Sequence, residues 1–124
     1  MPRKALVVDD DENIKRLISF ILNQMEFEVE FASDGEEAIN VFKSNRYDLI
    51  LMDVLMPKMD GFTVVEQLRL LEPSGVHTPI IVISAIYTKG KYRSEATKKG
   101  ADLLISKPFQ PQELMDKING LLKI

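Results

Sequence analysis

The 124-residue sequence predicts an α/β domain in which helices cover both faces of a parallel sheet. Short apolar runs alternate with amphipathic segments along the chain, which is typical of consecutive β-α-β units. Three of the apolar runs end in charged residues, at Asp9, Asp53 and Lys107. Because parallel strands bring their carboxyl ends to one edge, where open sheets bind ligands, we expect these charges to share one crevice.

The first half of the chain predicts strands at residues 4–8, 28–32 and 48–52. A first helix over residues 12–25 has one buried stripe, because its apolar residues recur at helical spacing, namely Ile14, Leu17, Ile18, Ile21 and Leu22. Asp11 precedes this helix and is a candidate cap. Ser33, followed by Glu36, is a capping-box pattern that predicts Ser33 as the cap of a second helix ending near Asn45. The third strand is apolar on both faces, which is typical of the middle of a covered sheet.

The second half predicts a helix over residues 62–71, ended by Pro73, Ser74 and Gly75. Strands follow at residues 80–83 and 102–106, and a final helix begins at Pro111. Between these strands, residues 87–100 show weak apolar periodicity and five basic residues between Lys89 and Lys99, so we expect a short or mobile helix there. Five strands and five helices account for the chain, which we interpret as a single domain over residues 1–124 with no effector domain.

Composition excludes several classes of protein. The absence of cysteine excludes disulfides, thiolate metal sites and a cysteine nucleophile. The amino terminus has too few apolar residues for a signal peptide or a membrane span, so we expect a cytoplasmic protein without membrane association. A net charge of −3, with acids and bases intermixed, favours no direct binding to nucleic acid.

The clustered carboxylates predict a cation site. Like charges a few ångströms apart raise each other's pKa, so a positive ion among Asp9, Asp10 and Asp53 would relieve the repulsion. Carboxylate oxygens, with water or phosphate in the remaining positions, are typical of a Mg²⁺ site.

Five features in order along the chain resemble the receiver domain of two-component response regulators, and chemotaxis regulators in particular. They are Asp9-Asp10, Asp53, Ser84-Ala85, Lys107-Pro108-Phe109, and the loop after Asp53 with Met56-Pro57 and Asp60-Gly61. The resemblance covers the whole chain. It implies a flavodoxin-like (βα)5 doubly wound sandwich with a five-stranded parallel sheet of order 2-1-3-4-5.

The resemblance implies that Asp53 is the phosphoacceptor, which a sensor histidine kinase or a phosphotransfer protein phosphorylates. Mg²⁺ would be held by Asp10, Asp53 and the backbone carbonyl of Leu55, with Asp9 acting through water. The chain would catalyse only its own phosphorylation and dephosphorylation, so we do not expect a conventional enzyme.

The same resemblance assigns groups around the phosphate. Lys107 would pair with Asp53 and then with a phosphoryl oxygen, Ser84 would donate its hydroxyl to another oxygen, and the small Ala85 would leave room. Leu55 and Ile86 would flank the phosphate without an acid or amide to orient water. We therefore expect the phosphorylated form of this chain to hydrolyse slowly compared with other members of the family.

One position departs from the family pattern. Leu104, three residues before Lys107, replaces the Tyr or Phe that moves inward in the family when the domain is phosphorylated. Tyr87 and Tyr92 are candidates to take over that role. Leu104 also favours an alternative function, a pseudo-receiver interaction module that works without phosphorylation.

The family implication extends to partners. Phosphorylation would switch the surface of the fourth helix, fifth strand and final helix, and so control an unknown partner or an absent output domain. The kinase would recognise the first helix, residues 14–22, and the loop at residues 108–111. The expected state is a monomer or a phosphorylation-dependent homodimer.

Other interpretations fit less well. A haloacid dehalogenase-type phosphatase would need an acid where Leu55 stands, and three successive aspartates after the first strand would repel a flavin phosphate. His77 has no acidic neighbour in sequence, so we interpret it as a surface loop residue and not as a relay or ligand.

Overall fold

The computed structural model describes residues 3–53, 61–84 and 96–123. It contains a five-stranded sheet with strands in the order β2-β1-β3-β4-β5, and every neighbouring pair is parallel. The strands are β1 Arg3–Val8, β2 Phe27–Ala32, β3 Leu49–Asp53, β4 Ile80–Ser84 and β5 Leu103–Ser106. This confirms the predicted flavodoxin-like order, with β3 at the centre.

The helices lie between the strands as predicted. They are α1 Glu12–Gln24, α2 Gly35–Ser44, α3 Gly61–Leu71, a helical turn at residues 96–99 that we label α4, and α5 Pro111–Leu122. The predicted helix over residues 87–100 lies mostly outside the described residues. No helix among the described residues is long and apolar enough to span a membrane.

The sheet separates two apolar cores, because successive side chains of a strand point to opposite faces. One core packs under α2 and α3 and includes Leu6, Val8, Ile50, Met52, Ile80, Val82 and Leu104. The other packs under α1 and α5 and includes Ala5, Val7, Leu49, Leu51, Ile81, Ile83 and Ile105. Residues 49–52 are buried on both faces, as predicted for a central strand.

Two local predictions were wrong. The cap of α2 is Asp34 and not Ser33: the Asp34 carboxylate accepts the backbone N–H of Glu37 at 2.8 Å, and the helix begins one residue later than the capping box required. Ser33 instead accepts a hydrogen bond from the Lys15 ammonium at 3.4 Å. Leu17 is not in the buried stripe of α1; it is 36% exposed.

A network around Arg69 ties together the amino ends of β4 and β5, opposite the edge that carries Asp53. The Arg69 guanidinium donates to Glu72 (2.8 Å), Asp102 (2.9 Å), the Thr78 carbonyl (2.7 Å) and the Gly100 carbonyl (2.9 Å). Glu72 also accepts the backbone N–H of Thr78 at 2.6 Å. These bonds join α3, β4, β5 and the residue after α4 through one side chain.

Asp102 is the second centre of this network. It accepts the backbone N–H of Ile80 at 2.8 Å, and its other oxygen lies 2.8 Å from His77 Nε2. His77 is exposed, which confirms the prediction of a surface residue, but its acidic neighbour comes from a distant part of the sequence.

A smaller polar cluster lies near the same end of the sheet, across β1 and β2. Lys4 Nζ is 2.8 Å from Glu30, and the Tyr47 hydroxyl donates to the same carboxylate at 2.7 Å. The hydrogen bonds from Lys4 and then from Tyr47 lower the pKa of Glu30. Burial, followed by the bond to Glu30, raises the pKa of Tyr47, so its hydroxyl stays a donor at neutral pH.

Candidate phosphoacceptor and metal site

Three carboxylates meet at the carboxyl edge of the sheet, as the strand-end pattern predicted. Asp9 and Asp10 follow β1, and Asp53 is the last residue of the neighbouring β3. One oxygen from each residue lies within 4.8 Å of the others. Asp9 is buried, Asp53 is half-buried and Asp10 is exposed, so the cluster opens to solvent on one side.

Lys107 is the cation that the structure places beside these carboxylates. Its Nζ lies 3.5 Å from an Asp53 oxygen and 3.6 Å from an Asp9 oxygen. The Lys107 backbone N–H donates to the Ser84 carbonyl at 2.8 Å, which fixes the end of β5 against the end of β4. The Lys107-Pro108 peptide bond is cis.

Asp9 is the buried carboxylate of the cluster. Burial raises its pKa, and the negative charges of Asp53 and Asp10 raise it further. The backbone N–H of Asp11, which donates to Asp9 at 2.9 Å, and the Lys107 ammonium oppose this rise. The raised pKa means that the ionised form of Asp9 is disfavoured in the folded protein, chiefly because the side chain is buried.

The donor set fits a hard divalent cation. Carboxylate oxygens from three residues converge on one region, and the exposed side leaves room for water or for a ligand oxygen. Asp9, Asp10 and Asp53 are therefore the described residues that would hold Mg²⁺. Leu55, whose carbonyl was predicted to join them, lies outside the described residues.

Asp11 differs from its two neighbours, as predicted. Its carboxylate accepts the backbone N–H groups of Asn13 (2.8 Å) and Ile14 (3.4 Å), so it caps α1. A capping carboxylate is also stabilised by the positive end of the helix. The run of three aspartates thus divides into two residues that face the crevice and one that serves the helix.

Ser84 is the last residue of β4 and is fully buried beside this edge. Ser84 pairs in register with Ser106 of β5, while Asp53 pairs with Ile83, so Ser84 lies next to the strand that ends in Asp53. Ala85 and Ile86 lie outside the described residues. Leu104 is buried in the core under α2 and α3.

Family comparison agrees with this geometry. Residues 5–119 match the family model described as "Response regulator receiver domain". The chain belongs to this family. It is therefore a receiver domain of two-component signalling, and domains of this kind are signalling modules.

Individual relatives show how far the likeness extends. The receiver domain is 38% identical over 125 residues to the transcriptional regulatory protein SrrA of Staphylococcus aureus, an alignment that covers 99% of this chain and 49% of SrrA. The chain thus spans about half the length of the curated relatives it matches.

Solved structures share the same fold. The chemotaxis protein CheY4 of Vibrio cholerae superposes with a TM-score of 0.89 at 33% identity, covering 98% of this chain and 99% of CheY4. The receiver domain of a sensor histidine kinase from Pseudomonas aeruginosa superposes with a TM-score of 0.86 at 27% identity, covering all of both chains. That structure has magnesium coordinated in its active-site cleft.

An apolar hollow lies beside the acidic crevice. Ile14 and Leu17 of α1 face Pro108 and Phe109 across a space of 240 Å³, with Lys107 at its edge. This explains why Leu17 is partly exposed: it belongs to the rim of the hollow and not to the stripe under α1. Sequence periodicity could not distinguish a residue at the rim of the hollow from one in the buried stripe, because both lie on one broad side of the helix.

Lys15 is a residue whose placement sequence reasoning missed. It is buried, its ammonium lies 3.0 Å from Glu12, and it stands 6.0 Å from the centre of the Phe31 ring. A lysine in a helix is usually predicted to lie on the surface. Predicting the burial of Lys15 would have required knowing that Phe31 of β2 packs near it.

Proposed function

We propose that this receiver domain accepts a phosphoryl group on Asp53 in a Mg²⁺-dependent reaction. The observation that carries the proposal is the convergence of Asp9, Asp10 and Asp53 within 4.8 Å, with the Lys107 ammonium 3.5 Å from Asp53. A carboxylate is a competent nucleophile, and a nearby cation site and ammonium are what phosphoryl transfer needs.

The transfer would be a displacement at the phosphorus of a donor phosphohistidine. An Asp53 oxygen attacks phosphorus and forms a P–O bond, while the P–N bond to a donor histidine breaks. The electron pair of that bond remains on the imidazole nitrogen, which takes a proton from solvent. Bound Mg²⁺ would neutralise charge on the phosphoryl oxygens, with Asp10 and Asp53 as ligands and Asp9 acting through water.

The remaining residues position the product. Lys107, already beside Asp53, would pair with one phosphoryl oxygen. Ser84, buried at the end of the adjacent strand, would donate its hydroxyl to another. Because Leu55 and Ile86 offer no acid or amide, we also propose that the acyl phosphate hydrolyses slowly, which replacing Leu55 by Asn would test through the dephosphorylation rate.

The phosphoryl donor would be a sensor histidine kinase or a phosphotransfer protein in the cytoplasm. The hollow formed by Ile14, Leu17, Pro108 and Phe109 supports docking at this face, because it offers apolar contacts next to the site. Phosphorylation would then change the surface of α4, β5 and α5, which would control an output domain, a separate partner or a homodimer.

A direct test is the intact mass after incubation with acetyl phosphate and Mg²⁺. We expect one added phosphoryl group, lost when Mg²⁺ is chelated and lost in Asp53→Asn. Asp116→Asn, an equivalent change on the exposed face of α5, is the matched control and should be phosphorylated normally.

The alternative is an interaction module that works without phosphorylation. Leu104 favours it, because this buried aliphatic side chain cannot act as the family's mobile aromatic. If Mg²⁺ raises the melting temperature but no adduct forms, the phosphoacceptor proposal fails and this alternative takes its place.

A further inference from the structure

A second cleft opens at the opposite end of the sheet from Asp53. It has a volume of 670 Å³ and is formed by the segments that lead into β3 and β4, together with the ends of α2, α3 and α5. This size is within the range of about 300–1,000 Å³ that is typical of small-molecule sites. The cleft shares no lining residue with the acidic crevice.

The rim of this cleft is positively charged. Arg3, Lys43 and Arg46 all line it and are exposed, and none of them has an ion pair with another residue of the described ranges 3–53, 61–84 and 96–123. Asp48 is the carboxylate in the lining, and it already accepts the backbone N–H of Lys4 at 2.8 Å. The concentration of positive charge is notable because the whole chain has a net charge of −3.

Apolar side chains line the interior of the cleft, among them Phe42 and Tyr47, which are 8% and 6% exposed. Phe42 and Tyr47 stack with ring centres 6.5 Å apart and planes 17° from parallel. Leu71, Val76 and Leu122 complete this apolar lining. The Tyr47 hydroxyl is held by Glu30, so the ring has a fixed position.

The wall formed by residues 76–79 is also fixed in place. The Thr78 backbone bonds to Glu72 and Arg69, and the Pro79 carbonyl accepts the backbone N–H of Ile50 at 2.9 Å. A wall held by such bonds needs little ordering when a ligand enters, which favours affinity.

We propose that this cleft binds an amphipathic organic anion, with an aromatic body on the apolar lining and a carboxylate, sulfonate or phosphate at the rim. Charge complementarity selects this class: a cationic ligand would be repelled, and a neutral one would leave Arg3, Lys43 and Arg46 without contact.

The probe is 8-anilinonaphthalene-1-sulfonate, an aromatic anion, with the uncharged N-phenyl-1-naphthylamine as matched control. In a titration of the isotope-labelled chain followed by NMR, we expect saturable binding at one site with the largest amide shifts at Tyr47, Val76 and Thr78. The anion should bind about fivefold more tightly than the neutral control, a difference that decreases as salt screens the rim charges.

Two variants separate local charge from net charge. Lys43→Glu changes the rim, and Lys117→Glu makes the same change on the exposed face of α5, away from the cleft. Lys43→Glu should weaken binding of the anion about threefold and Lys117→Glu should not. Well-dispersed NMR spectra establish that both variants are folded.

Three results would overturn the proposal. One is the absence of saturable binding to the folded protein. Another is a set of shifts centred on the exposed Phe20 and Phe31 instead of the cleft. The third is equal weakening by both lysine variants, which would attribute binding to net charge alone.

Discussion

The two ends of the sheet treat buried charge in opposite ways. At the amino end, the Arg69 guanidinium has two carboxylates and two carbonyls as partners, and Glu72 and Asp102 each accept further backbone N–H groups. At the carboxyl end, the Lys107 ammonium lies 3.5 Å from Asp53 and 3.6 Å from Asp9, and Asp10 belongs to the same group of carboxylates. We expect the first arrangement to stabilise the fold, whereas the second gathers the carboxylates that we propose hold a metal ion beside the phosphoacceptor.

The placement of partners, more than the number of charges, distinguishes the network around Arg69 from the acidic cluster of the proposed phosphoacceptor site. Removing one member of a hydrogen-bonded charge network costs free energy, because the remaining members lose a partner while they stay partly buried. A buried carboxylate with like charges beside it should respond in the opposite sense, since removing its charge relieves both the burial cost and the repulsion. Stability measurements on the metal-free protein can test this contrast.

The largest effect is expected for Arg69→Ala at the amino end. The substitution leaves Glu72 and Asp102 without their cation and two carbonyls without a donor, so we expect a loss of about 3 kcal/mol in the free energy of unfolding. Urea denaturation measures this. Arg16→Ala, an exposed position on α1, is the control and should change stability by less than about 0.5 kcal/mol. A loss for Arg69→Ala as small as the control's would remove the network as a stabilising feature.

Gly100→Ala should be the next largest effect. Gly100 has φ +112°, and a Cβ there would lie 2.9 Å from Cγ of Arg69. The alanine variant would therefore strain both the backbone at this position and the network around Arg69. We expect a loss of about 2 kcal/mol by urea denaturation. Gly120→Ala is the matched control within α5, where a Cβ meets nothing within 4 Å; it should stabilise the protein by about 0.5 kcal/mol. Equal responses at the two glycines would contradict the role of the close contact with Arg69.

Asp34→Ala tests a carboxylate that accepts a backbone hydrogen bond at the start of α2. Its bond to the Glu37 backbone N–H caps α2, so we expect a loss of about 1 kcal/mol in thermal or urea unfolding. Ser33→Ala, the position that the sequence pattern favoured, is the control. It should cost less, because the Ser33 hydroxyl accepts only the 3.4 Å bond from Lys15. A larger cost at Ser33 than at Asp34 would restore the original assignment of the cap.

Asp9→Asn should increase the free energy of unfolding, opposite in sign to the substitutions above, and this should be the smallest of the four effects. Burial and like charges raise the pKa of Asp9 in the folded state, so its ionised form destabilises the fold at neutral pH. Without metal, the variant should be more stable than the wild type at pH 7 by on the order of 0.5 kcal/mol.

The pH dependence of this difference follows from the same shift. Because the folded-state pKa lies above the unfolded value, the folded protein binds the proton more readily. The advantage of Asp9→Asn should therefore be full above the raised pKa and disappear as the pH falls through it towards the unfolded value. Unfolding curves of both proteins in a chelator over this range measure the difference, and an advantage that grows towards acid would contradict the assignment.

Local patterns predicted much of this molecule correctly. Helical periodicity placed α1, α2, α3 and α5 to within a residue or two, and the apolar run at residues 49–52 predicted the central strand. The crevice was predictable because its residues directly follow strands: once the strands are parallel, their carboxyl ends must share an edge. The cap of α2 could not be predicted, since both Ser33 and Asp34 have suitable side chains and only the backbone geometry decides which of them caps the helix.

The network of charges at the amino end of the sheet could not be predicted from such local patterns. Arg69 and Asp102 are separated by 33 residues, and His77 and Asp102 by 25, so no spacing rule relates them. They meet because β4 and β5 are neighbours in a register that pairs Ile81 with Leu103. The burial of Lys15 likewise depends on Phe31, which belongs to another element.

By itself, the sequence determined the alternation of strands and helices, the edge at which Asp9, Asp10, Asp53 and Lys107 meet, and the family. These follow from relations between residues close together in the chain, which periodicity and strand ends report. Only the tertiary structure decided which charges are satisfied and where the basic cleft opens. Those properties depend on strand order and register, which bring together side chains that no local pattern connects.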